Sequence, residues 1–332
     1  MLNLKMLTAL TSIALVIGAC TAEKRYEPPR MPDGTPDLQG VWTNVSLTRL
    51  IRPSRYESNV ITPDEALEIE KMQAARAARG LEPTDPNAPP PSQGASVGGY
   101  NSFWGDAGDR LAMIDGEFRT SWIVDPEDGQ LPYTEKGLAT FEATQHEARN
   151  NFDGPEIRPM AERCIVGFGS TGGPPMINVL YNNNYQIVQT PEAVMILAEM
   201  NHDARIIRMN DEHRPESMRS WLGDSIGHWD GNTLVIETTH FNPGESLRLN
   251  YDQSFYLSPD AVVSERLTRI SDTEIFYEFE VEDPEIYKQP WRGEMVFNAA
   301  DEIFEYACHE GNYALPGILA GAREEENGQA AE

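Results

Sequence analysis

Short apolar runs separated by turn residues fill the second half of the chain, and this pattern limits the possible folds more than any other feature. The strand-like runs lie at 184–190, 193–200, 204–209, 225–229, 233–239, 262–270, 274–282, 292–298 and 302–308. Between them stand turn sequences such as Thr-Pro-Glu, Asp-Gly-Asn and Ser-Asp. Many strands at this spacing are typical of antiparallel sandwiches and barrels, so the sequence predicts a mainly β fold.

Two of these segments show the β pattern most clearly. The segment GHWDGNTLVIETT (227–239) places Asp-Gly between two β-rich runs, which predicts a tight hairpin. In residues 275–281 apolar side chains stand at every second position, the period of a strand with one buried face.

The residues before about 155 have a different texture. Thr62-Pro63-Asp64-Glu65 predicts the start of a helix that Gly80 ends, and a second helix is expected from about Thr134 to Arg149. The Pro- and Gly-rich residues 82–99 predict a loop. Gly40-Val41-Trp42 resembles the start of a lipocalin-like barrel, where the tryptophan closes the base.

The first residues predict export and lipid anchoring. Lys5 precedes a short apolar stretch that ends in Ile17-Gly18-Ala19-Cys20, which is typical of a bacterial secretory signal followed by a lipidated cysteine. The sequence thus predicts a lipid-anchored, periplasm-facing protein of the cell envelope, and Thr21 favours the outer membrane. The predicted regions are a signal peptide (1–19), a tether (20–35), a loop and helix region packing on the barrel (36–155), the barrel (156–322) and a disordered acidic tail (323–332).

The charge and the cysteines restrict the partners and the compartment. The chain has 53 acidic and 26 basic residues and a net charge of −27, so it repels phosphate backbones and no nucleic-acid partner is expected. With Cys20 assigned to lipid, Cys164 and Cys308 remain. In an oxidising compartment two remaining cysteines predict one disulfide.

Nine segments carry a resemblance to a known family. They are PDLQGVWTN (36–44), TSWIVDPEDGQLP (120–132), ERCI (162–165), YNNNYQIVQT (181–190), EMNHDARII (199–207), WLGDSIGHWDGNTLVIETTHF (221–241), VSERLTRI (263–270), EDPEIYKQPW (282–291) and YACHEGNY (306–313). Together they resemble an uncharacterised family of bacterial secreted proteins and lipoproteins. The resemblance implies an antiparallel, lipocalin-like β-barrel with N-terminal loops and two helices, and it implies no particular activity.

Candidate site residues stand where strands join. Asn201-His202-Asp203 separates two apolar runs, and Arg205 follows. Asn and Asp suit a tight turn, but a turn does not require His202 or Arg205. On an extended strand Asp203 and Arg205 share a face and are placed to pair, so a structural role and a site role both stay open.

A second constellation surrounds the predicted disulfide. A Cys164–Cys308 bond would hold His309 and Glu310 near Arg163, where a carboxylate beside a histidine orients a general base, although an ion-pair cluster is an equal alternative. His240 ends a strand and joins the catalytic candidates, whereas His213, in the loop DEHRPESM, shows no such pattern.

Polar and aromatic residues supply candidate ligand contacts, and the cofactor question stays open. The ligand-binding candidates are Arg163, Tyr181, Asn182, Asn184, Trp221 and Asp224. A zinc ion held by His202, His240, His309 and a carboxylate fits the residue types, but the sequence shows no local metal-binding spacing.

Three functions remain open on the sequence. The first is a barrel that binds a small, partly apolar molecule in an aromatic-lined interior with a polar mouth. The second is a hydrolase, lyase or isomerase that uses His202, Asp203, Arg205, His240, His309 and Glu310. The third is an envelope interaction protein without a pocket.

Overall fold

A computed structural model describes residues 26–83, 87, 89, 105–167, 171–244, 247–250, 253–310 and 312–329. The predicted signal peptide, Cys20 and the start of the tether lie outside the described residues, as do most of the Pro-rich segment 82–99 and the last three residues of the predicted tail.

Fifteen strands and three helices form the described structure. The strands are β1 Gly40–Thr43, β2 Val60–Ile61, β3 Met113–Ile114, β4 Glu117–Arg119, β5 Ile123–Asp125, β6 Asn184–Gln189, β7 Ala193–Ala198, β8 Ala204–Met209, β9 Asp224–Asp230, β10 Thr233–Thr239, β11 Leu247–Asn250, β12 Gln253–Tyr256, β13 Val262–Arg269, β14 Glu274–Glu282 and β15 Trp291–Ala299. The helices are α1 Pro63–Gly80, α2 Glu135–Asn150 and α3 Ala314–Gln329. None of the helices in the described ranges has the length and apolar character that a membrane crossing needs.

Nine of the strands close into a barrel. Their order is β1-β6-β7-β8-β9-β10-β13-β14-β15, and β1 also pairs with β15 to close the ring. The short strand β5 adds to β15 from outside this ring. The predicted mainly β fold and its barrel are therefore confirmed, and the Asp-Gly hairpin lies between β9 and β10 as expected.

The barrel is mixed and not purely antiparallel, which corrects the prediction. An antiparallel ring needs an even number of strands, because strand direction alternates around it. Nine strands therefore require a parallel neighbour pair, and β8 and β9 are that pair. A parallel pair needs a crossover, and residues 210–223 supply it over the outside of the barrel.

The predicted elements outside the barrel agree in part with the structure. The two N-terminal helices are present, and Thr62 and Glu65 form the predicted capping box of α1. The run at 302–308 is not a strand, and a third helix, α3, follows it. The barrel also extends beyond residues 156–322, since β1 comes from the N-terminal region.

Side chains fill the barrel interior. The inward residues of β14 are Ile275, Tyr277, Phe279 and Val281, the alternating set seen in the sequence, and each is buried. Residues 171–179 run into the same core and are buried throughout. The Met176 N–H donates to the Tyr277 hydroxyl at 2.9 Å, and Trp42 donates its indole N–H to the Leu38 carbonyl. The aromatic side chains expected to line a ligand cavity are thus packed against protein.

The predicted disulfide joins Cys164 to Cys308 and is confirmed. It ties the segment before the buried residues 171–179 to the chain just ahead of α3. Because it closes a loop of 144 residues, the chain-entropy argument gives it a stabilising contribution of up to about 5 kcal/mol.

We expect peptide mapping of the denatured, unreduced protein after alkylation to recover Cys164 and Cys308 as one linked peptide pair with no alkyl label. Reduction is expected to lower the free energy of unfolding by up to about 5 kcal/mol. Alkylated Cys164 and Cys308 in the unreduced sample would contradict the bond.

Helix α2 approaches the barrel through a glycine. Thr134 caps the helix and accepts the Gly137 N–H at 2.8 Å, while the Thr134 N–H donates to the Ile286 carbonyl. A Cβ atom on Gly137 would lie 2.0 Å from the Ile286 oxygen.

The substitution Gly137→Ala should therefore push α2 away from the barrel and lower the free energy of unfolding by about 1–3 kcal/mol in urea denaturation. Gly317→Ala in α3 is the matched control, since a Cβ there meets nothing within 4 Å and the change should be neutral or stabilising by up to about 1 kcal/mol. Equal effects of both substitutions would refute the close approach.

Candidate functional site

The barrel wall is weakly joined between β8 and β9. The two strands pair only through Arg208 with Ile226 and Met209 with Gly227, near the end of β8. The earlier residues of each strand form no ladder with one another. A groove of about 380 Å³ lies at this seam, and its walls are Ile165, Val166, residues 202–206, Arg208, Arg214 and residues 220–225.

Arg205 lies in this groove at the boundary between the wall and the barrel core. It is 3% exposed, and its two terminal nitrogens pair with both Glu265 oxygens at 3.1 and 2.6 Å. Tyr277 donates its hydroxyl to the same carboxylate at 2.7 Å. Arg205 does not pair with Asp203, because Arg205 points into the core whereas Asp203 lies in the turn before the strand.

Arg205 and Glu265 neutralise each other in the core, and one guanidinium N–H of Arg205 is left without a hydrogen bond in the described part of the chain. Burial opposes the charge of Arg205, but Glu265 outweighs burial and raises the pKa of the guanidinium. Burial, together with the Glu265 charge, raises the pKa of Tyr277 well above its ordinary value, which keeps this hydroxyl a donor. The Arg205 Nε–H has no acceptor among the described residues.

The turn before β8 explains two of the residues that the sequence singled out. Asn201 and His202 have φ angles of 59° and 53°, which asparagine adopts readily. The Asp203 carboxylate accepts the Gly167 N–H at 2.6 Å and the Asn201 side chain at 3.3 Å. Burial raises the pKa of Asp203. His202 is exposed, and its Nε2 accepts the Tyr306 N–H at 3.4 Å.

Apolar and cationic side chains share the groove. Ile206 is 51% exposed beside Trp221 and Leu222. Arg214 leaves 56% of its side chain exposed and lies 3.8 Å from Asp224, so it is held only loosely. Trp221 and Asp224, predicted as ligand contacts, both line this groove.

Asp224, the first residue of β9, anchors the crossover 210–223. Its carboxylate accepts both terminal nitrogens of Arg208, at 2.7 and 3.3 Å, and the Arg214 N–H at 3.0 Å. Although burial acts in the opposite direction, these donors hold the pKa of Asp224 well below its usual range.

His213 lies between two carboxylates on the outer face of the barrel. Its Nδ1 is 2.9 Å from Asp224 Oδ2, and its Nε2 is 3.0 Å from Glu237 Oε1. The His240 ring lies edge-on to it, with ring centroids 5.7 Å apart. The structure thus joins two predicted residues, Asp224 and His240, with one that sequence reasoning missed. The length of the 210–223 segment, too great for a hairpin, was the signal that it crosses over the strand ends.

Among the described residues no hydrogen bond or ion pair joins Arg163 to His309 or Glu310, so the catalytic role of this constellation stays a prediction. His309 and Glu310 are exposed, and Arg163 donates to the Glu156 carbonyl at 3.1 Å. The predicted zinc set of His202, His240 and His309 is not brought together either. Among the described His, Cys, Asp and Glu side chains, His213, Asp224 and His240 form the cluster with metal-ligand spacing.

The predicted asparagine contacts serve the fold. Asn184 donates to the buried Glu199 carboxylate at 2.5 Å, and the other Glu199 oxygen accepts the Phe304 N–H. Asn182 takes a positive φ of 55° in the turn before β6, and Tyr181 is half-buried beside it. None of these three residues lines the groove.

Comparison of the chain with protein families, curated proteins and solved structures finds no match.

Removing one member of the Arg205–Glu265 ion pair should lower the free energy of unfolding far more than removing both. Arg205→Met strands the Glu265 carboxylate in the core and is expected to lower the free energy of unfolding by about 3–5 kcal/mol. The double variant Arg205→Met/Glu265→Leu removes both charges of this pair and should recover most of that loss in urea denaturation at pH 7. A double variant less stable than Arg205→Met would contradict this account.

Proposed function

We propose that the protein binds a small molecule that has an anionic group and an apolar body, and that the binding site is the groove between β8 and β9. The observation that carries this proposal is the exposed guanidinium of Arg214, which has only a loose 3.8 Å contact with Asp224 and lines a groove that also has apolar walls. Such a guanidinium favours an anionic group there.

The charge distribution supports an anionic ligand. The chain as a whole repels anions, with a net charge of −27, yet three arginines meet at this groove: Arg205, Arg208 and Arg214. Arg205 and Arg208 are neutralised by Glu265 and Asp224, whereas the exposed Arg214 has only a loose contact. Arginine binds carboxylate and phosphate groups through its planar fork.

The apolar walls support a ligand with a hydrophobic body. The groove is lined by Trp221, Leu222 and the half-exposed Ile206. Ligand sites in proteins combine such walls with a few convergent polar groups. Since the barrel interior is filled by side chains, the wall offers the space that the interior does not.

The cellular location that we propose for this function rests on the sequence. We propose that the chain is exported and anchored through a lipidated Cys20, that it faces the periplasm, and that it uses no nucleic-acid partner. We also propose that the barrel is lipocalin-like. Trp42, two residues after Gly40 in β1, supports this, since it is 2% exposed and the Arg269 guanidinium carbon lies 5.3 Å from its ring centroid. The proposed ligand site differs from a lipocalin cavity in using the wall.

A pair of fluorescent probes tests the site. Anilinonaphthalene sulfonate and phenylnaphthylamine share one aromatic body, and only the first has an anionic group. We expect saturable, single-site binding of the sulfonate, tighter than binding of the neutral probe, because the arginines recognise the anion. Arg214→Ala should weaken sulfonate binding about threefold to tenfold and leave the neutral probe unaffected.

Two further variants complete this test. Trp221→Ala should weaken both probes, since it removes apolar wall. Arg292→Ala is the matched charge control on β15, where the guanidinium is 54% exposed and pairs with Asp125, and it should change neither probe. Equal binding of the two probes, or equal losses in the Arg214 and Arg292 variants, would defeat the proposal.

A further inference from the structure

The cluster of His213, Asp224 and His240 has the composition of a metal site. One nitrogen from each histidine and one Asp224 oxygen all lie within 4.8 Å of one another. Zinc bonds of about 2.0–2.1 Å at tetrahedral angles place ligand atoms about 3.4 Å apart, so the three side chains need at most about 1.4 Å of closure. The Nδ1 of His213 and Oδ2 of Asp224, at 2.9 Å, are already close enough.

The contacts of His213 match those of a metal-bound histidine. Such a histidine commonly binds the metal through one ring nitrogen and donates the other N–H to a carboxylate. His213 faces the Glu237 carboxylate with Nε2 and the Asp224 carboxylate with Nδ1. A metal ion bound by Nδ1 and Asp224 would leave the Nε2–H of His213 to donate to Glu237.

His240 contributes an atom that the described fold does not use. Its Nδ1 is buried and has no hydrogen-bond partner among the described residues. The residue takes a φ of 56°, an uncommon conformation for histidine, directly after β10. Its neighbours hold it there, because the Ser220 N–H donates to the His240 carbonyl and the Asn242 N–H donates to the Ser220 carbonyl. The backbone thus fixes a free imidazole nitrogen next to His213.

The carboxylate is also held in place. Arg208 and the Arg214 N–H donate to Asp224 and orient its carboxylate, as outer contacts do for metal-binding carboxylates. Arg208 opposes a cation by its charge, but it also pairs with Asp211 at 2.7 Å, and Glu237 stands within the same cluster. The surrounding charge of −27 further favours cations over anions.

We propose that His213, Asp224 and His240 bind one divalent transition-metal ion, with zinc as the best fit, and that Glu237 orients His213 from outside. Two imidazoles and one carboxylate are ligands that zinc accepts, and three protein ligands leave a coordination position for water. The site is separate from the ligand proposal except for Asp224, which lines the groove as well. Each proposal stands if the other fails.

Isothermal titration of the metal-free mature protein with zinc chloride tests the site. We expect one zinc ion per chain. His213→Ala and His240→Ala should each weaken binding at least tenfold. Glu237→Gln should weaken it about tenfold through the orientation of His213. His228→Ala removes an exposed histidine that lies on the same face of β9 as Asp224, and it should leave zinc binding unchanged.

Thermal unfolding distinguishes a variant that has lost only zinc binding from one that no longer folds. Thermal unfolding of each variant without zinc reports whether the crossover 210–223 still packs, and His240→Gln keeps a polar group where the alanine variant leaves a gap. Absence of zinc binding by the unaltered protein overturns the proposal, as does zinc binding that both histidine variants retain. The fluorescent probes measure the groove independently, so a loss of zinc with intact probe binding concerns this site alone.

Discussion

The closure of the barrel by an odd number of strands is the constraint on which the rest of the structure depends. Strand direction must alternate in an antiparallel ring, so nine strands leave one pair parallel, and β8 and β9 take that place. A parallel pair needs a long crossover, and residues 210–223 bring His213, Arg214 and Trp221 across the outer face. The same pair is short, which opens the wall at Arg205. The groove and the histidine cluster thus have one topological origin.

The polar core of the barrel explains why its interior does not serve as a wide ligand cavity. The Arg205–Glu265 pair, closed by the Tyr277 hydroxyl, lies inside the barrel, and residues 171–179 are buried in the same core. A buried pair of this kind contributes little net stability against an apolar core, but it is costly to break in half. It therefore fixes the position of Arg205 firmly at the boundary between the core and the groove.

Local sequence patterns predicted those parts of the fold that depend on neighbours along the chain. The strands from β6 to β10 and from β13 to β15 follow apolar runs, the β9–β10 hairpin follows Asp-Gly, and α1 begins at its capping box. The candidate site was predicted only in part. Trp221, Asp224 and Arg205 meet at the groove, whereas His309 and Glu310 stand exposed elsewhere. His213 was missed because its loop shows no period and no motif.

The sequence by itself determined the β character of the chain, two of its helices, the Asn201 turn and the pairing of Cys164 with Cys308, since each follows from local chemistry or from simple elimination. Only the tertiary structure decided which charge meets which. Arg205 pairs with Glu265, 60 residues away, and not with the nearby Asp203. His213, Asp224 and His240 meet because strand order and the crossover bring them together. Register and closure are global properties, set by the packing of all strands at once, and no local segment encodes them.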